Sequence, residues 1–540
     1  MATLIQGTAH RLYSAARLDR TADGATGRGT RRWAALGVLC VSILVVNLDN
    51  TILNVALPTL VRKLGASSSE LQWIVDAYAM VYAGLLLVGG SLADRFGRKR
   101  LFLIGLTVFA GGSVGAAYSG SVGPLIAWRA VMGSGAALTM PATLSLINDL
   151  FRDPRERSRA IGLWAGTSGL GIAIGPIAGG LLLAHFWWGS VFFVNVPIVA
   201  AGLIGAVLLV PESRNPHTAR PDPIGGLLSI LGLGGILWAI IEAPTHGWGS
   251  TAVVTVGLAG LAVAAIFVAW ESASDHPMLD LSFFRARRFS AATSSVALGG
   301  FGLLGALFIQ TQFLQFDLHL SALQAGVRIL PLAAMIAVAA PVSTIVVRFI
   351  GSKIPAGGGL LAIAGGLWWT SLVSGPSTTY GQVLPGLLLI GLGAGFLIPT
   401  ATDAVVGSIP RGDAGVGSAT NGVSIQVGGA FGVAVLGSVL ATRYQHAMTR
   451  ALAGAAIPPA AAHAALGSIG GALDLAAKLP PALASALVTR ADAAFMSGSG
   501  RSLAVGGAVA LAGALVAFAA LPPRAGSPPP TKPPGRGSAR

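Results

Sequence analysis

Charged side chains are scarce in this sequence. Asp, Glu, Lys and Arg together make up 10% of the 540 residues, whereas hydrophobic residues make up 53%. Because an ordinary soluble domain carries about 25% charged residues, a water-soluble protein of this length could not cover its surface. The mean hydropathy of +0.73 agrees. The composition therefore excludes a soluble globular protein and a disordered tail, and it favours an all-α polytopic membrane protein.

Cysteine pairs and recognisable catalytic patterns are also missing. With Cys40 as the single cysteine, the chain is not a disulfide scaffold of the secreted type. No Gly-x-x-x-x-Gly-Lys-Ser/Thr phosphate loop occurs, so ATP is not the evident energy source. The eight histidines are scattered without metal-ligand spacing. We therefore expect no enzyme activity, no cofactor and no metal site.

Apolar runs long enough to cross a bilayer recur along the chain. Crossing about 30 Å of hydrocarbon takes about 20 residues of helix, and the first run is too long for a signal-peptide core of about 7–15 residues. The sequence thus predicts fourteen transmembrane helices. They lie near 33–57, 71–92, 101–119, 124–148, 160–184, 190–210, 223–242, 251–270, 290–316, 322–347, 355–374, 381–406, 414–441 and 501–521.

The basic residues orient these spans. Lys and Arg outnumber Asp and Glu by 35 to 20, which on a soluble protein would indicate a nucleic-acid partner. With the N-terminus inside, 26 of the 35 fall in cytoplasmic segments, as the positive-inside rule requires. Only 5 of the 35 are Lys, which with abundant Ala and Gly indicates a GC-rich bacterial genome. We predict a multi-pass protein of the bacterial plasma membrane with both termini cytoplasmic, lipid around it and no nucleic-acid partner.

An internal repeat divides the chain. The pattern Gly-x-Gly-x-x-x-x-x-Pro occurs at 133–141 in the fourth span and at 391–399 in the twelfth. Two six-helix halves alone would place equivalents six spans apart, so two further helices must lie between duplicated halves.

The predicted segments follow from this repeat. They are a cytoplasmic tail (1–32), an N-terminal six-helix bundle (33–211), two inserted helices with their loops (212–288), a C-terminal six-helix bundle (289–521) and a disordered cytoplasmic tail (522–540). Within the second bundle, 443–500 is an extracytoplasmic loop, either an amphipathic hairpin or disordered.

The loop after the second span has a distinctive pattern. Residues 90–100 read Gly-Ser-Leu-Ala-Asp-Arg-Phe-Gly-Arg-Lys-Arg. The glycines permit a tight turn, and an acid at a cytoplasmic helix end can pair with arginines to lock an inner gate. An ordinary basic loop would not explain the spacing of the acid from the glycines. The predicted gating residues here are Gly90, Asp94, Arg95, Gly97 and Arg98.

The fifth span supplies a second pair of gating candidates. Residues 171–180 read Gly-Ile-Ala-Ile-Gly-Pro-Ile-Ala-Gly-Gly. Small residues let a partner helix approach closely, and a proline removes one helical hydrogen bond and permits a bend. We name Gly175 and Pro176, although plain helix packing would explain the same pattern.

These motifs resemble the major facilitator superfamily, and in particular its fourteen-helix drug:proton antiporters. Residues 90–100 are similar to motif A and 171–180 to motif C, which goes with export, while 48–58 (Leu-Asp-Asn-Thr-Ile-Leu-Asn-Val-Ala-Leu-Pro) resembles the antiporter signature. Further similarity lies at 73–78, 192–197, 325–331 and 426–429. The resemblance implies the major facilitator fold and a monomeric, proton-coupled exporter of small amphipathic drugs or toxic compounds.

The chain departs from the family pattern at three places. Residues 188–190 read Trp-Gly-Ser where the family often has Trp-Arg-Trp, and Met132 stands where motif B usually has a polar residue. No acid occurs in 414–441, whereas some members that select dications carry acids there. This lowers the expectation for divalent cationic drugs.

Ionisable side chains inside the spans are the leading functional candidates, because a charge in the bilayer is costly. A carboxyl group in apolar surroundings holds its proton toward neutral pH, as antiport requires. We predict proton coupling by Asp49 and Asp76, with Arg129, placed like the arginine of motif B, linking protonation to conformation. Structural roles are the alternatives. Less specific candidates are Asp317 and Arg328, which flank an outer loop, and Asp403, which could pair with Arg411.

Polar and aromatic side chains within the spans are the candidates for substrate binding, since aromatic rings stack on flat or cationic compounds. The predicted set is Asn54, Trp73, Tyr78, Trp164, Gln310 and Gln426. Packing would explain the aromatics equally. Three other functions stay open: a dedicated exporter of one endogenous metabolite, lipid or antibiotic, an importer, or a non-transporting membrane scaffold that binds a partner through 443–500.

Overall fold

The computed structural model describes residues 2–214, 221–274, 277–409, 414–453 and 458–521. Over these ranges the chain is helical apart from short connections and contains no β-strand. Fourteen of the helices found there are long and apolar enough to cross a membrane. This confirms the predicted all-α architecture and its fourteen spans. The tail at 522–540 and Arg411 lie outside the described residues.

The helices follow one another with short loops. The first seven are α1 (Ala2–Leu64), α2 (Ser68–Phe96), α3 (Arg98–Ala117), α4 (Val122–Leu150), α5 (Pro154–His185), α6 (Ser190–Phe193) and α7 (Asn195–Leu209). The next two are α8 (Pro223–His246) and α9 (Thr251–Ala273), followed by a 3-10 turn at Leu281–Arg285. The remainder are α10 (Arg287–Phe316), α11 (Ala322–Ile350), α12 (Lys353–Val373), α13 (Tyr380–Val406), α14 (Ala414–Leu452), α15 (Pro459–Gly467), α16 (Ile469–Ala476) and α17 (Pro481–Ala520).

Two helices around the predicted extracytoplasmic segment are longer than their apolar runs. α14 continues to Leu452 and α17 begins at Pro481, whereas the predicted spans end at 441 and begin at 501. Charged residues such as Arg443 and Arg490 interrupt the apolar runs, but the Ala-rich segments around them have high helix propensity. With α15 and α16 between them, the described part of 443–500 is helical, as in the hairpin alternative.

The helices form two six-helix bundles. In the first, α2 and α3 pack on α4, and α1 packs on α5 and α7. In the second, α10 packs on α14, α12 on α13 and α17, and α11 on α13. Two seams join the bundles, α2 against α14 and α5 against α11. Each seam pairs the second helix of one bundle with the fifth of the other, which is the symmetry expected of duplicated halves.

The inserted helices attach to both bundles through α8. α8 lies against α2 and α14, whereas α9 packs mainly on α8. Contacts with α2 run along α8, from Gly226 near Val88 to Gly234 near Met80. Only 11% of the most apolar 18-residue stretch of α9 is buried within the protein, so most of this stretch is available to lipid.

The glycines of the internal repeat have the same packing role in both bundles. A Cβ at Gly133 of α4 would lie 2.5 Å from the carbonyl oxygen of Tyr78 on α2. A Cβ at Gly391 of α13 would lie 2.9 Å from Cβ of Met335 on α11 and closer still to backbone. Because only glycine allows this approach, the repeated pattern fixes the fourth helix of each bundle against the second.

The bundles touch at one end of the α5–α11 seam and part at the other. We call the ends next to the α1–α2, α3–α4 and α5–α6 loops outer and the opposite ends cytoplasmic, following the predicted orientation. A Cβ at Gly180, near the outer end of α5, would lie 2.5 Å from Cα of Leu323. Gly162 and Gly169 lie on the same helical face, yet an added Cβ would meet no described atom within 4 Å there. Along this seam the bundles are closed at the ends called outer and open at the ends called cytoplasmic.

Candidate functional site: a buried ion pair in the first bundle

Asp49 of α1 and Arg129 of α4 form an ion pair in the interior of the first bundle. Asp49 Oδ2 and Arg129 Nη1 are 2.5 Å apart, and the two side chains are 0% and 1% exposed. Charges removed from water this completely are stable together only when further hydrogen bonds satisfy them. The structure therefore brings together two of the three predicted proton-coupling residues.

Three more helices supply those hydrogen bonds. Asn195 of α7 donates from Nδ2 to Asp49 Oδ1 at 2.9 Å, and its Nδ2 also lies 3.3 Å from Ser113 Oγ of α3. Arg129 Nε donates to the carbonyl oxygen of Ile74 in α2 at 3.0 Å. The network thus joins α1, α2, α3, α4 and α7. Protonation of Asp49 would remove one charge of the pair and weaken every contact that depends on it, so the arrangement can link proton binding to helix packing.

Tyr78 lies against this network. The guanidinium carbon of Arg129 is 4.5 Å from the centre of the Tyr78 ring, a favourable cation–π distance. The close approach of Gly133 to the Tyr78 backbone brings α2 near enough for this contact. Tyr78 is 0% exposed, so in this state it supports the arginine; its predicted contact with substrate stays a prediction.

Asp76 is buried separately from the ion pair. Its side chain is 0% exposed, and neither carboxylate oxygen has a hydrogen-bond partner in the part of the chain that the structure describes. An unpaired carboxylate in such surroundings is costly, so this position favours the protonated acid. The role of Asp76 in proton coupling stays a prediction, now with the geometry of a group that can hold a proton.

Asn54 is the predicted substrate residue that reaches the contact between the bundles. It lines a small cavity with Thr51, Pro176 and Thr311, where α1, α5, α10 and α11 meet. Its Nδ2 donates to the carbonyl oxygen of Asn50 at 3.0 Å. The amide therefore lies where a compound held between the bundles would pass.

The other predicted substrate residues have different neighbours. Trp73 Nε1 donates to Glu242 Oε1 of α8 at 3.0 Å, so this indole is anchored to an inserted helix. Gln310 is fully buried in the second bundle, with its Nε2 3.4 Å from Thr370 Oγ1 of α12. Trp164 and Gln426 are half-buried on α5 and α14, the helices of the two seams. The substrate roles of these four residues stay predictions.

The gating glycine and proline of α5 lie at the outer contact. A Cβ at Gly175 would lie 2.9 Å from Cβ of Thr51 on α1. The backbone of Pro176 faces Gly326 of α11, where an added Cβ would lie 2.7 Å from the Pro176 carbonyl carbon. Side chains are thus excluded on both flanks of this segment, as close helix packing requires. The motif lies where the two bundles close.

The basic loop after α2 is braced within the first bundle. Gly97, between α2 and α3, has a φ of 114° that favours glycine. Arg98 Nε donates to Asp94 Oδ1 at 2.7 Å, and the same guanidinium pairs with Asp149 at the end of α4. Glu212, after α7, accepts from the backbone nitrogen of residue 99 at 3.0 Å. In this state the acid of the motif holds its own bundle together.

Arg95 and Gly90 are less engaged. The guanidinium of Arg95 lies over the ring of Phe96, 5.8 Å from its centre, in an exposed position. A Cβ at Gly90 would make an ordinary contact of 3.6 Å with Pro141. The gating roles of both stay predictions.

The less specific embedded charges also have neighbours. Burial, with the nearby carboxylate of Asp492, raises the pKa of Asp317 to about 9. Arg328 lies 5.4 Å from the centre of the Tyr380 ring, as an interfacial anchor would. Arg288 is the cation that faces Asp403 within the described chain.

Sequence reasoning missed several polar partners. Asn195 was visible only as part of the 192–197 similarity, and Ser113, Glu212 and Glu242 gave no signal because hydroxyls and helix-end acids are common in such sequences. A buried carboxylate such as that of Asp49 needs a hydrogen-bond donor. A search of the apolar spans for amide side chains would therefore have made Asn195 a candidate.

Two bundles joined at symmetric seams are the architecture of a membrane transporter built of duplicated halves. Residues 39–433 match the family model described as Major Facilitator Superfamily. The chain belongs to this superfamily.

Relatives of this chain include efflux and resistance proteins. The multidrug efflux pump LfrA of Mycolicibacterium smegmatis is 37% identical, with 87% of this chain and 92% of that protein covered. The tetracenomycin C resistance and export protein of Streptomyces glaucescens is 35% identical, with 90% and 91% covered. The methyl viologen resistance protein SmvA of Salmonella typhimurium is 33% identical, with 89% and 96% covered.

Solved structures share the fold at low identity. A peptide transporter POT in complex with sulfate gives a TM-score of 0.60 at 16% identity, covering 90% of this chain and 95% of that one. A bacterial homologue of the human lysosomal transporter Spinster, inward-facing and unoccupied, gives 0.59 at 17% identity, covering 91% and 98%.

Proposed function

We propose that this protein is a proton-coupled antiporter that exports small amphipathic drugs or toxic compounds across the bacterial plasma membrane as a monomer. The observation that carries the proposal is the buried Asp49–Arg129 pair, which joins five helices through one titratable carboxylate. Proton binding at Asp49 would change the charge at the centre of this five-helix network. Relatives named for multidrug efflux and resistance, at 33–37% identity over most of the chain, support the choice of substrate class.

The proposal includes the segment boundaries given above. Two bundles at 33–211 and 289–521 move against each other, with the segment at 212–288 between them in the chain. Both termini are cytoplasmic. With this orientation the open side of the structure receives compounds from the cytoplasm or the inner leaflet.

The test is a susceptibility and dye-efflux panel in a host that lacks its own pumps, with and without collapse of the proton gradient. Gradient-dependent efflux of several compounds is the expected result. Methyl viologen, a dication, belongs in the panel, because a relative is named for resistance to it although 414–441 contains no acid.

Asp49→Asn is the decisive variant. It keeps the side-chain volume and an oxygen that can accept from Arg129, but it removes the charge. We therefore expect a folded protein of lower stability than the wild type, without proton-driven export. Full export by this variant at normal expression would overturn the role of Asp49.

A dedicated exporter is the second candidate. A relative named for resistance to and export of a single compound, tetracenomycin C, covers 90% of this chain at 35% identity. Efflux of one compound and of no other member of the panel would favour it.

A further inference from the structure

A cavity of about 800 Å³ lies at the outer side, between α8 and the α15–α16 hairpin. Four of the residues that line it are Ser69 and Glu70 of α2 and Glu242 and Thr245 of α8. A cavity of this size admits a drug-sized molecule, and it is far larger than bulk water needs for access. Its polar floor is therefore a place where protons of the outer medium can arrive.

A file of polar side chains runs from this floor into the protein. On α2, Gln72 follows Ser69 by three residues and Asp76 follows it by seven, so the three side chains lie on one helical face within about 60°. At about 1.5 Å per residue, Asp76 lies about 10 Å deeper than Ser69. Gln72 is 0% exposed and Ser69 8% exposed. The file is thus enclosed, and it ends at an acid whose oxygens have no partner within the described ranges.

α14 and α8 form the other walls of the file. Ser438 Oγ of α14 donates to the carbonyl oxygen of Ile240 on α8 at 2.7 Å and lies 3.3 Å from Gln72 Oε1. Pro244 explains why that carbonyl is free, since proline has no N–H to donate to the residue four positions earlier. On the other flank, Ser69 Oγ donates to the carbonyl oxygen of Ile241 at 3.2 Å. The inserted helix therefore supplies backbone acceptors along the file.

The ionisable groups are at the cavity rather than along the file. Glu70 and Glu242 line the cavity, as do Asp474, Lys478 and His463. Glu242 accepts a hydrogen bond from the Trp73 indole. On α4, Arg129 contacts α2 through the Ile74 carbonyl, and its charge is paired with Asp49. Residues 414–441 of α14 contain no ionisable side chain. No cation in the file would repel an incoming proton.

We propose that this cavity and the file Ser69–Gln72–Asp76 form the route by which protons from the outer side reach Asp76, with the inserted helix α8 as one wall. The inference rests on the proposed proton coupling and adds a role for the inserted helices. Gln72 and Ser438 are positioning residues. They meet where α2 touches α14, so the route is narrowest in the outward-closed state and widens when the outer ends of these helices part.

The test measures proton exchange at Asp76 without any transported compound. Infrared difference spectra of the full-length protein in lipid films, perfused with heavy water, follow the carbonyl stretch of the protonated acid. The band that disappears in Asp76→Asn assigns the signal. Gln72→Leu keeps the side-chain volume and removes the polar group, so we expect exchange to slow by at least about tenfold. Ser438→Ala is the milder second variant, with slowing of about threefold.

Gln312→Leu is the matched control. Gln312 is 4% exposed on α10 and donates to the carbonyl oxygen four residues earlier, as Gln72 does. Unchanged exchange in this control, with slowing in the other two, supports the route. Equal rates in all variants overturn it, as does the absence of an Asp76 band.

The route and the proposed function fail in different ways. Gradient-dependent efflux together with normal exchange in Gln72→Leu would overturn only the route. If exchange is slowed in that variant but efflux is unchanged by collapse of the proton gradient, the proton-coupled function is overturned and the route is still supported.

Discussion

Gly180→Ala should shift the protein away from its outward-closed state. The added Cβ would lie 2.5 Å from Cα of Leu323, whereas ordinary contacts of a Cβ are 3.4–4 Å. The neighbour is backbone and cannot rotate away, so α5 and α11 must separate by about 1 Å, at an overpacking cost of about 1–3 kcal/mol. The cost applies only where the outer ends touch. We therefore expect the outward-open population to rise about 5- to 150-fold relative to the closed one.

Distances between spin labels on the two bundles measure this shift. Tyr118 at the end of α3 and Leu372 near the end of α12 are 67% and 84% exposed, so cysteines there accept labels. The Tyr118 ring contacts Trp187 and Phe193 at the surface, so the labelled protein without the alanine substitution is the reference. Cys40→Ser removes the native thiol. Gly169→Ala is the control, because it lies on the same face of α5 with no described atom within 4 Å of the added Cβ. Identical distance distributions for the two alanine variants would refute the reasoning.

Three further predictions concern stability. Asp49→Leu or Arg129→Leu alone leaves a buried charge unpaired and should lower the free energy of unfolding by about 3–5 kcal/mol, whereas the double variant should lower it by less than either. Melting temperatures of the purified proteins measure this. A double variant that melts below both single variants would contradict the prediction. Gly97→Ala should cost about 1–2 kcal/mol because of its left-handed φ, while the melting temperature of Gly111→Ala, in a helix with open space around it, should not fall. Burial raises the pKa of Asp317 from 3.8 to about 9. The protonated form therefore contributes its full stability below about pH 4, and this contribution is lost as the pH rises from there to about 9. Asp317→Asn should therefore melt higher than the wild type at pH 8 and equally at pH 4, and parallel curves would count against it.

The spans could be predicted from the sequence because bilayer thickness sets their length. Any helix that crosses the hydrocarbon must be apolar for about 20 residues, and this requirement is visible without knowing a single contact. The same argument did not predict the end of α14 or the beginning of α17. Both helices extend beyond their apolar runs, and there helix propensity rather than hydropathy decides the boundary.

The ion pair was half predictable. Asp49 and Arg129 stand out because a charge inside an apolar run needs a reason. Asn195, which donates to Asp49, is 146 positions from it along the chain, and nothing in an amide's local sequence says which helix it will face. The anchoring of Trp73 to Glu242 was hidden for the same reason, since it depends on where the inserted helices dock.

The position of α9 at the edge of the protein implies that the surrounding lipid influences transport. This helix packs on α8, which in turn lies against α2 and α14, and most residues of its apolar stretch are not buried within the protein. In the proposed movement of the bundles, this helix pair would be displaced within the lipid, so membrane viscosity and thickness mismatch would oppose the movement. Turnover should then depend on acyl-chain length and membrane viscosity, and a variant without α9 reconstituted in the same lipids would lose much of that dependence.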